Sequence, residues 1–396
     1  MKNFRHRKIC FVAHQLNFGG MERFISRLVN HLDKDFFQFS IVCIDSGERA
    51  LDWIDDKSTV DFIELQKRVT SQKAVRHSLA SYLETKQIDI VQSHNFGTLA
   101  DTCLSLPRSR KMGFIHAERG TVLGNPPAKG LRFLVRSLSM RYHTAFCDHL
   151  ICNAHEIARK INAYTWYPLE KIRVIPNGIP LLYSDEEIKK IRCQKRLELG
   201  ITSDDFVVGM VGRLVDVKNY PMAIKAFCSM RGNAKQRFRL LIIGDGPLRN
   251  ELQSIAERTP KPDSHTIHFA GEISNCVGIY PAFDVFLNTS SSEGMSQALL
   301  EALSCARPVL ATDVGDHQRI LEGTELKCGA IMHRDDWQSL ANHLSDYSKS
   351  PELLARLGGN ALELQRNHYS LDSMLAQYDQ LYKSLLRKIG RCLEPS

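Results

Sequence analysis

Asp284-Val-Phe-Leu-Asn288-Thr-Ser-Ser-Ser-Glu293-Gly-Met-Ser-Gln-Ala-Leu-Leu-Glu301-Ala-Leu303 is the stretch on which the reading of this chain turns. Asp284 to Asn288 is a short apolar run of strand character, and Gly294 stands where the chain must turn into a helix. The amides of Met295, Ser296 and Gln297 are therefore expected at a helix N-terminus, which attracts anions. If one helix carried both Glu293 and Glu301, their eight-residue separation would span roughly 12 Å. That is too far for two carboxylates acting on one atom. It suits two carboxylates that grip the hexose and ribose ends of an elongated nucleotide-sugar, with its diphosphate at the helix start. The plainer reading makes Glu293 an electrostatic helix cap and Glu301 a solvated helix residue, and an isolated pair at this spacing would favour it. Context shifts the balance, because the strand, the turn and the following Ala311-Thr-Asp-Val-Gly315 loop all fall at strand ends of an alternating α/β region.

Outward from that stretch, the chain has 396 residues, enough for two domains that each bury a core. Its 43% hydrophobic and 24% charged residues are those of an ordinary globular protein, without low-complexity tracts or internal repeats. Eleven cysteines, with no C-x-x-C pair and no His/Cys cluster at zinc spacing, argue for reduced thiols, a cytoplasmic setting and no metal. The apolar run Ile9 to Ala13 behind Lys2, Arg5, Arg7 and Lys8 is too short for a signal peptide. No run approaches transmembrane length. The formal charge of +8 is concentrated in the first 180 residues, with 26 Lys+Arg against 17 Asp+Glu. It is densest from residue 108 to residue 141, where Arg108, Arg110, Lys111, Arg119, Lys129, Arg132, Arg136 and Arg141 face the single acid Glu118. One face of the protein is expected to seek anions.

Residues 1–180 alternate strand and helix patterns, with strands expected at 8–13, 39–44, 88–93, 113–117 and 149–153 and a short one near 173–179. A charged helical connector follows at 185–199. The alternation restarts with strands at 206–211, 239–243, 267–270, 285–288 and 308–311. Helices are expected at 220–230 and 248–258, and a last one at 373–391 carries Leu375, Tyr378, Leu381, Tyr382 and Leu385 at helical spacing. The fold class is α/β, with two Rossmann-like doubly wound domains at 1–180 and 181–371 and a C-terminal helix, 372–396, packing back on the first. Ligands of such sheets bind at the carboxyl ends of their strands, in a cleft between the two lobes.

Several loops at those ends carry chemistry. Gly212-Arg213-Leu-Val-Asp-Val-Lys218 follows a strand directly, and its two cations can meet a diphosphate from both sides, Arg213 as a fork and Lys218 as a point charge. Gly244-Asp-Gly246-Pro lets backbone approach a bound group, although a plain turn is the more frequent meaning of such a pair. Gly271-Glu-Ile273 offers backbone to a nucleobase, and Gly19-Gly20-Met-Glu22 opens a helix after the first strand. His116, Glu118 and Arg119 end the strand at 113–117; a lone histidine is more often structural, but one in a polar loop at a carboxyl strand end has better odds of chemistry.

Gly19-Gly20-x-Glu22, Arg213 to Lys218, Gly244-Asp-Gly246-Pro and Glu293-Gly-x7-Glu301-Ala followed by Pro308-Val-Leu-Ala-Thr stand in an order that resembles glycosyltransferase family 4 over nearly the whole chain. The resemblance implies a GT-B fold and retaining transfer of a hexosyl unit from a UDP- or GDP-linked sugar, with no cofactor or metal required. It implies that Arg213 and Lys218 hold the diphosphate, Glu293 the donor hexose and Glu301 the ribose, with His116 near the reacting sugar. Gly19, Gly20, Gly244, Gly271, Ile273, Gly294, Met295, Ser296 and Gln297 complete the expected donor-binding set, with Glu118 and Arg119 near the acceptor. The chain departs from the family pattern at Ala306, at Met295-Ser296 and at Gly315-Asp316-His317-Gln318, all around the donor sugar.

The segment 128–142 mixes Leu131, Leu134, Val135, Leu138 and Tyr142 with Arg132, Arg136 and Arg141. It reads equally as a basic amphipathic helix for an anionic membrane surface and as a surface helix with a buried stripe. The expected partners are a nucleotide-sugar and a saccharide or lipid-linked acceptor at the inner face of the cytoplasmic membrane, in cell-surface polysaccharide, lipopolysaccharide or glycolipid assembly. Three rivals are weighed. A nucleotide-sugar 2-epimerase shares the fold but needs carboxylates placed to move a proton. A bilobed sugar-binding protein of periplasmic type needs an export signal. Nucleic acid is not an expected partner, because the basic region lacks interleaved aromatics in a recognised module.

Overall fold

The computed structural model describes residues 6–391 apart from 18, 68, 108–110, 121, 124–128, 234 and 274–275. Arg108, Arg110 and the start of the 128–142 pattern thus lie outside the described residues. The chain divides into two compact units, one made of 1–177 with 374–396 and the other of 178–373.

The first unit holds seven strands: β1 (Arg7–Ala13), β2 (Phe37–Cys43), β3 (Val60–Glu64), β4 (Ile90–His94), β5 (Gly113–Glu118), β6 (His149–Cys152) and β7 (Ile172–Val174). They form one parallel sheet in the order β3-β2-β1-β4-β5-β6-β7. The central strands β1 and β4 are buried along almost their whole length, because a parallel sheet is covered by crossover helices on both faces. Strand order reverses between β1 and β4, so the loops leaving these two strands diverge and open a crevice at their carboxyl ends. The C-terminal helix Leu371–Lys388 runs into this unit. It buries Tyr378, Tyr382 and Leu385 there, and the Tyr382 hydroxyl donates to Gln92 Oε1 on β4 at 2.8 Å.

The second unit holds β8 (Asp205–Val211), β9 (Arg237–Ile243), β10 (His265–Gly271), β11 (Val285–Asn288), β12 (Val309–Thr312) and β13 (Gly329–Met332). This sheet is also parallel, in the order β10-β9-β8-β11-β12-β13, and its reversal lies between β8 and β11. Asp284 fixes that junction: its carboxylate accepts the Val207 amide at 2.7 Å and pairs with Arg192 and Arg196 of the connector helix Asp185–Glu198. Helices Tyr220–Ser229, Arg249–Arg258 and Gln297–Ser304 return the chain after β8, β9 and β11.

The alternation read from the sequence is present in both units, with strand ends shifted by one or two residues except at β7, which stops at Val174 ahead of Pro176-Asn177-Gly178. Two edge strands, β3 and β13, are additional to it. All five residues of β3 are only half-buried and two are acidic, so it lacks the apolar run that marks an interior strand.

Candidate active site

The carboxyl ends of β8, β11 and β12 in the second unit carry three loops that are stitched together by named bonds. Thr289 Oγ1 donates to the carbonyls of Lys218 or Asn219 at 3.0 Å, and the Ser291 amide donates to Val217 O at 2.8 Å, tying the β11 loop to the β8 loop. Thr312 Oγ1 donates to Ser290 O at 2.6 Å, tying the β12 loop to the same segment. Asn288 Nδ2 reaches Ser296 Oγ at 3.0 Å, and Ser296 caps the helix by accepting the Leu299 amide.

Two glycines are required by this nesting. Gly244 has φ +131°, and a Cβ there would lie 2.0 Å from the Gly212 carbonyl oxygen. Gly315 has φ +59°, and a Cβ there would lie 2.4 Å from the Gly294 carbonyl oxygen. The Cβ direction of Gly244 faces the neighbouring loop, so loop packing alone already requires a glycine there.

Within this frame Lys218 Nζ meets Glu293 Oε1 at 2.5 Å, and Ser290 Oγ donates to the same oxygen at 2.8 Å. The two ends of this ion pair are 75 residues apart, and they meet because their loops leave the two strands that flank the reversal. Burial pushes the Glu293 carboxyl up, but the charge and hydrogen bond of Lys218, with His317 and Ser290, more than offset it and leave it below the ordinary carboxylate value. Glu293 therefore stays an anion. His317 is fully buried, with Nδ1 donating to Thr312 O at 3.0 Å, and burial lowers its pKa against the opposing pull of Glu293. Its imidazole is neutral, and Nε2 has no hydrogen-bond partner.

The helix begins at Gln297, not at Glu293. Glu293 and Glu301 therefore do not share one helix, and the estimate of their separation from helical rise does not hold. The Ser-Glu-Gly segment is held in loop form by Ser290, Ser296 and Lys218. Glu293 is no cap either, since its contacts are Lys218 and Ser290. Glu301 is 3% exposed and accepts a hydrogen bond from Tyr280 Oη at 2.9 Å, so it is not a solvated helix residue.

Arg213 lies exposed on the β8 loop, five residues before Lys218. Met295 and Ser296 are buried. Gly271 has φ +75° at the end of β10, where its carbonyl accepts the Gly244 amide at 2.7 Å, and Ile273 is half-buried beyond it. Sequence reading passes over Ser290, Tyr280 and the burial of His317. For Ser290 and His317 the available signal is their position, polar groups in the loops after β11 and β12, whereas Tyr280 lies in the turn leading into β11 and gives no such signal.

In the first unit Gly19 precedes and Gly20 opens the helix Gly20–His31 after β1. His116 and Glu118 lie on β5 and have no exposed side-chain surface. His116 Nδ1 faces Ser93 Oγ at 2.8 Å, while Nε2 stands 3.7 Å from Glu118 Oε2, beyond hydrogen-bond reach. Neither Glu118 oxygen has a hydrogen-bond partner, although both are buried. Arg119 is bound inward, so it is not part of a basic surface. Its guanidinium donates to Asn177 Oδ1 at 2.6 Å and Tyr378 Oη at 2.8 Å and sits 3.2 Å from the Phe24 ring centroid. A separate recess of about 870 Å³ in this unit is lined by Arg141, His149, Lys171 and Arg173. It lies at the amino ends of β6 and β7, at the opposite edge of the sheet.

Two family models match, "Glycosyltransferase Family 4" over residues 18–181 and "Glycosyl transferases group 1" over 192–364. The chain is 26% identical over 347 residues to the UDP-Gal:alpha-D-GlcNAc-diphosphoundecaprenol alpha-1,3-galactosyltransferase of Escherichia coli, a match that spans 85% of this chain and 87% of that one. It is 28% identical over 228 residues to the alpha-monoglucosyldiacylglycerol synthase of Acholeplasma laidlawii, covering 56% of this chain and about half, 54%, of that relative. Among solved structures, Anabaena HepE in complex with UDP superposes with a TM-score of 0.79 at 17% identity, covering 95% of this chain and 100% of that one. The nested strand-end loops, the two parallel sheets and both family matches agree: the chain is a glycosyltransferase of the GT-B fold and belongs to family 4.

Proposed function

We propose that this enzyme transfers a hexosyl unit, with retention at the anomeric carbon, from a UDP- or GDP-linked sugar to a saccharide acceptor, free or lipid-linked, in the building of a cell-surface polysaccharide, lipopolysaccharide or glycolipid. It works as a peripheral protein at the cytoplasmic face of a membrane. The observation that carries the reading is the Lys218–Glu293 pair on the loops after β8 and β11, beside the start of the helix Gln297–Ser304. When the bond between the anomeric carbon and the diphosphate oxygen breaks, negative charge grows on the leaving nucleotide. Preorganised cations and amides stabilise that charge at no reorganisation cost. An ammonium has three donors, so Lys218 can keep Glu293 and still reach a phosphate oxygen. Arg213 supplies a second cation from the same loop, and no metal is needed to neutralise the charge.

Glu293, held ionised, accepts from hexose hydroxyls, and Glu301, oriented by Tyr280, accepts from the ribose. His116 lies on the acceptor side of the reaction, in the first unit. The relatives support a uridine nucleotide and a lipid-borne acceptor, since one is named for UDP-Gal and diphosphoundecaprenol, another for a diacylglycerol glycolipid, and the solved neighbour holds UDP. Titration calorimetry with UDP and GDP tests the donor half. Absence of heat with both would overturn the reading. NMR of the product formed from the accepted donor tests retention, and an inverted anomeric configuration would remove that part alone.

A further inference from the structure

Away from the strand-end loops, the recess of about 870 Å³ at the amino ends of β6 and β7 collects cations from three stretches of the first unit. Arg141 comes from the last turn of the helix Gly130–Thr144, Lys171 from the short helical turn Leu169–Lys171, and Arg173 from β7 itself. Arg141 gives Nη1 to the Trp166 carbonyl, a neutral acceptor that leaves its charge unmatched. Lys171 and Arg173 make no ion pair and no side-chain hydrogen bond among the described residues. Two acids also stand among the described residues that line the recess. Asp148 is committed elsewhere, with Oδ2 accepting the Phe114 amide at 3.0 Å and Oδ1 pairing with Lys388 at 3.1 Å. Glu170, which is exposed, is then the acid left to answer three cations, and an excess of two positive charges remains. His149 adds no charge at neutral pH, since burial first and then Lys388 hold its pKa below the ordinary value against the opposing pull of Asp148.

Cations scattered over a convex surface are ordinary, but three that converge on a concavity with low-dielectric walls raise the potential inside it and gather anions. Ile172, which is buried, and Tyr167, which is half-buried, supply such walls. The volume lies in the range of small-molecule sites and far exceeds what a lone phosphate fills. A phosphomonoester carries nearly two negative charges at neutral pH and three acceptor oxygens, which an arginine meets as a fork and a lysine as a point charge. We propose that this recess binds a small soluble sugar phosphate, with its phosphate held by Arg141, Lys171 and Arg173 and its hydroxylated body beside Tyr167 and His149. The four residues of β6 place roughly 13 Å between the recess and the carboxyl edge of this sheet, so the bound molecule is not a substrate at that edge. The site is independent of the donor reading, because all of its residues belong to the first unit.

The test is titration calorimetry of the full chain with glucose 6-phosphate at physiological ionic strength, with glucose as the uncharged control and excess UDP present to occupy the donor loops. Saturable heat at one site per chain is expected for glucose 6-phosphate, and none for glucose. Lys171→Glu should weaken that binding by about tenfold and Arg173→Gln by about fivefold, while both variants keep their UDP heat. Lys171 is exposed, so its variant keeps the fold whatever Arg173→Gln does to the half-buried β7. No saturable heat, an equal heat from glucose, or an affinity that Lys171→Glu leaves untouched overturns the site. Failure of glucose 6-phosphate together with Lys171-dependent binding to vesicles of phosphatidic acid overturns it too, because the phosphate recognised would then be a lipid headgroup. Glucose 6-phosphate binding in a wild type that gives no UDP heat would instead remove the donor reading and leave the recess standing.

Discussion

The two strand-end sites differ in how their charges are neutralised. In the second unit the carboxylate of Glu293 has Lys218 and Ser290 on one oxygen, and Arg213 is exposed on the adjoining stretch. In the first unit Glu118 is buried with both oxygens unbonded, and the nearest cation in sequence, Arg119, is spent on Asn177, Tyr378 and the face of Phe24. One site matches its carboxylate with a cation from a neighbouring loop. The other keeps polar capacity in reserve beside His116. The contrast teaches that neighbours in sequence need not be partners in chemistry: Glu118 and Arg119 are adjacent and point to different work, while Lys218 and Glu293 are 75 positions apart and act together.

The most severe way to break this comparison is Lys218→Ala. It removes the cation from the leaving group, and turnover is expected to fall by about 10²–10³-fold. It also strips a partly buried carboxylate of its counter-charge, lowering stability by ~1 kcal/mol in urea unfolding. Unchanged initial rates would mean that the pair is structural. His116→Ala comes next, with an expected loss of about 10²-fold in kcat and little change in UDP affinity by calorimetry, because it belongs to the first unit. A matching fall in nucleotide affinity would erase the division of labour between the sites.

Glu301→Ala should raise the donor KM about tenfold with a smaller effect on kcat, as expected for uniform binding lost at the ribose. Glu118→Gln sharpens the contrast further: replacing a buried carboxyl that makes no hydrogen bond should leave the melting temperature unchanged or raise it, while kcat falls about tenfold if that group orients His116 from 3.7 Å. A lower melting temperature would show that Glu118 has a partner in solution.

The smallest effect is on pH dependence. His317 has a folded pKa below its ordinary 6.5, through burial, and His94 lies well below it, through burial and then the charges of Arg119 and His116. In both cases the unfolded chain binds more protons, so stability rises with pH. The contribution is whole above about pH 6.5 and is lost as pH falls through the lower folded values. Glu293, also depressed, adds a second loss below the ordinary carboxylate range. Unfolding free energy measured across this range should decline on the acid side, and His317→Gln should flatten the first part of that decline. A slope of the opposite sign would contradict the assignment.

Much of the fold is legible because parallel strands buried on both faces read as apolar runs at regular intervals, and the loops that carry Arg213, Lys218 and Glu293 follow such runs directly. The edge strands β3 and β13 escape, since a half-buried edge needs no such run. Local sequence puts the helix start just after Gly294, about two residues early, because Ser290, Ser296 and Lys218 hold the preceding segment by bonds that it does not reveal. The segment 130–144 is ambiguous for a related reason. Its apolar stripe is plain in the sequence, but which way the stripe faces depends on the neighbouring helices, and the structure turns Leu131, Val135 and Tyr142 outward.

The interlocked glycines at Gly244 and Gly315 set a boundary on how this enzyme can diversify. The spacing between adjacent loops is dictated by main-chain atoms that already touch, so a methyl group at either position would force the loops apart. Changes that leave this framework intact fall on side chains beside it, such as His317 and Met295. A mutational library aimed at a new donor should vary those positions and leave the glycines untouched.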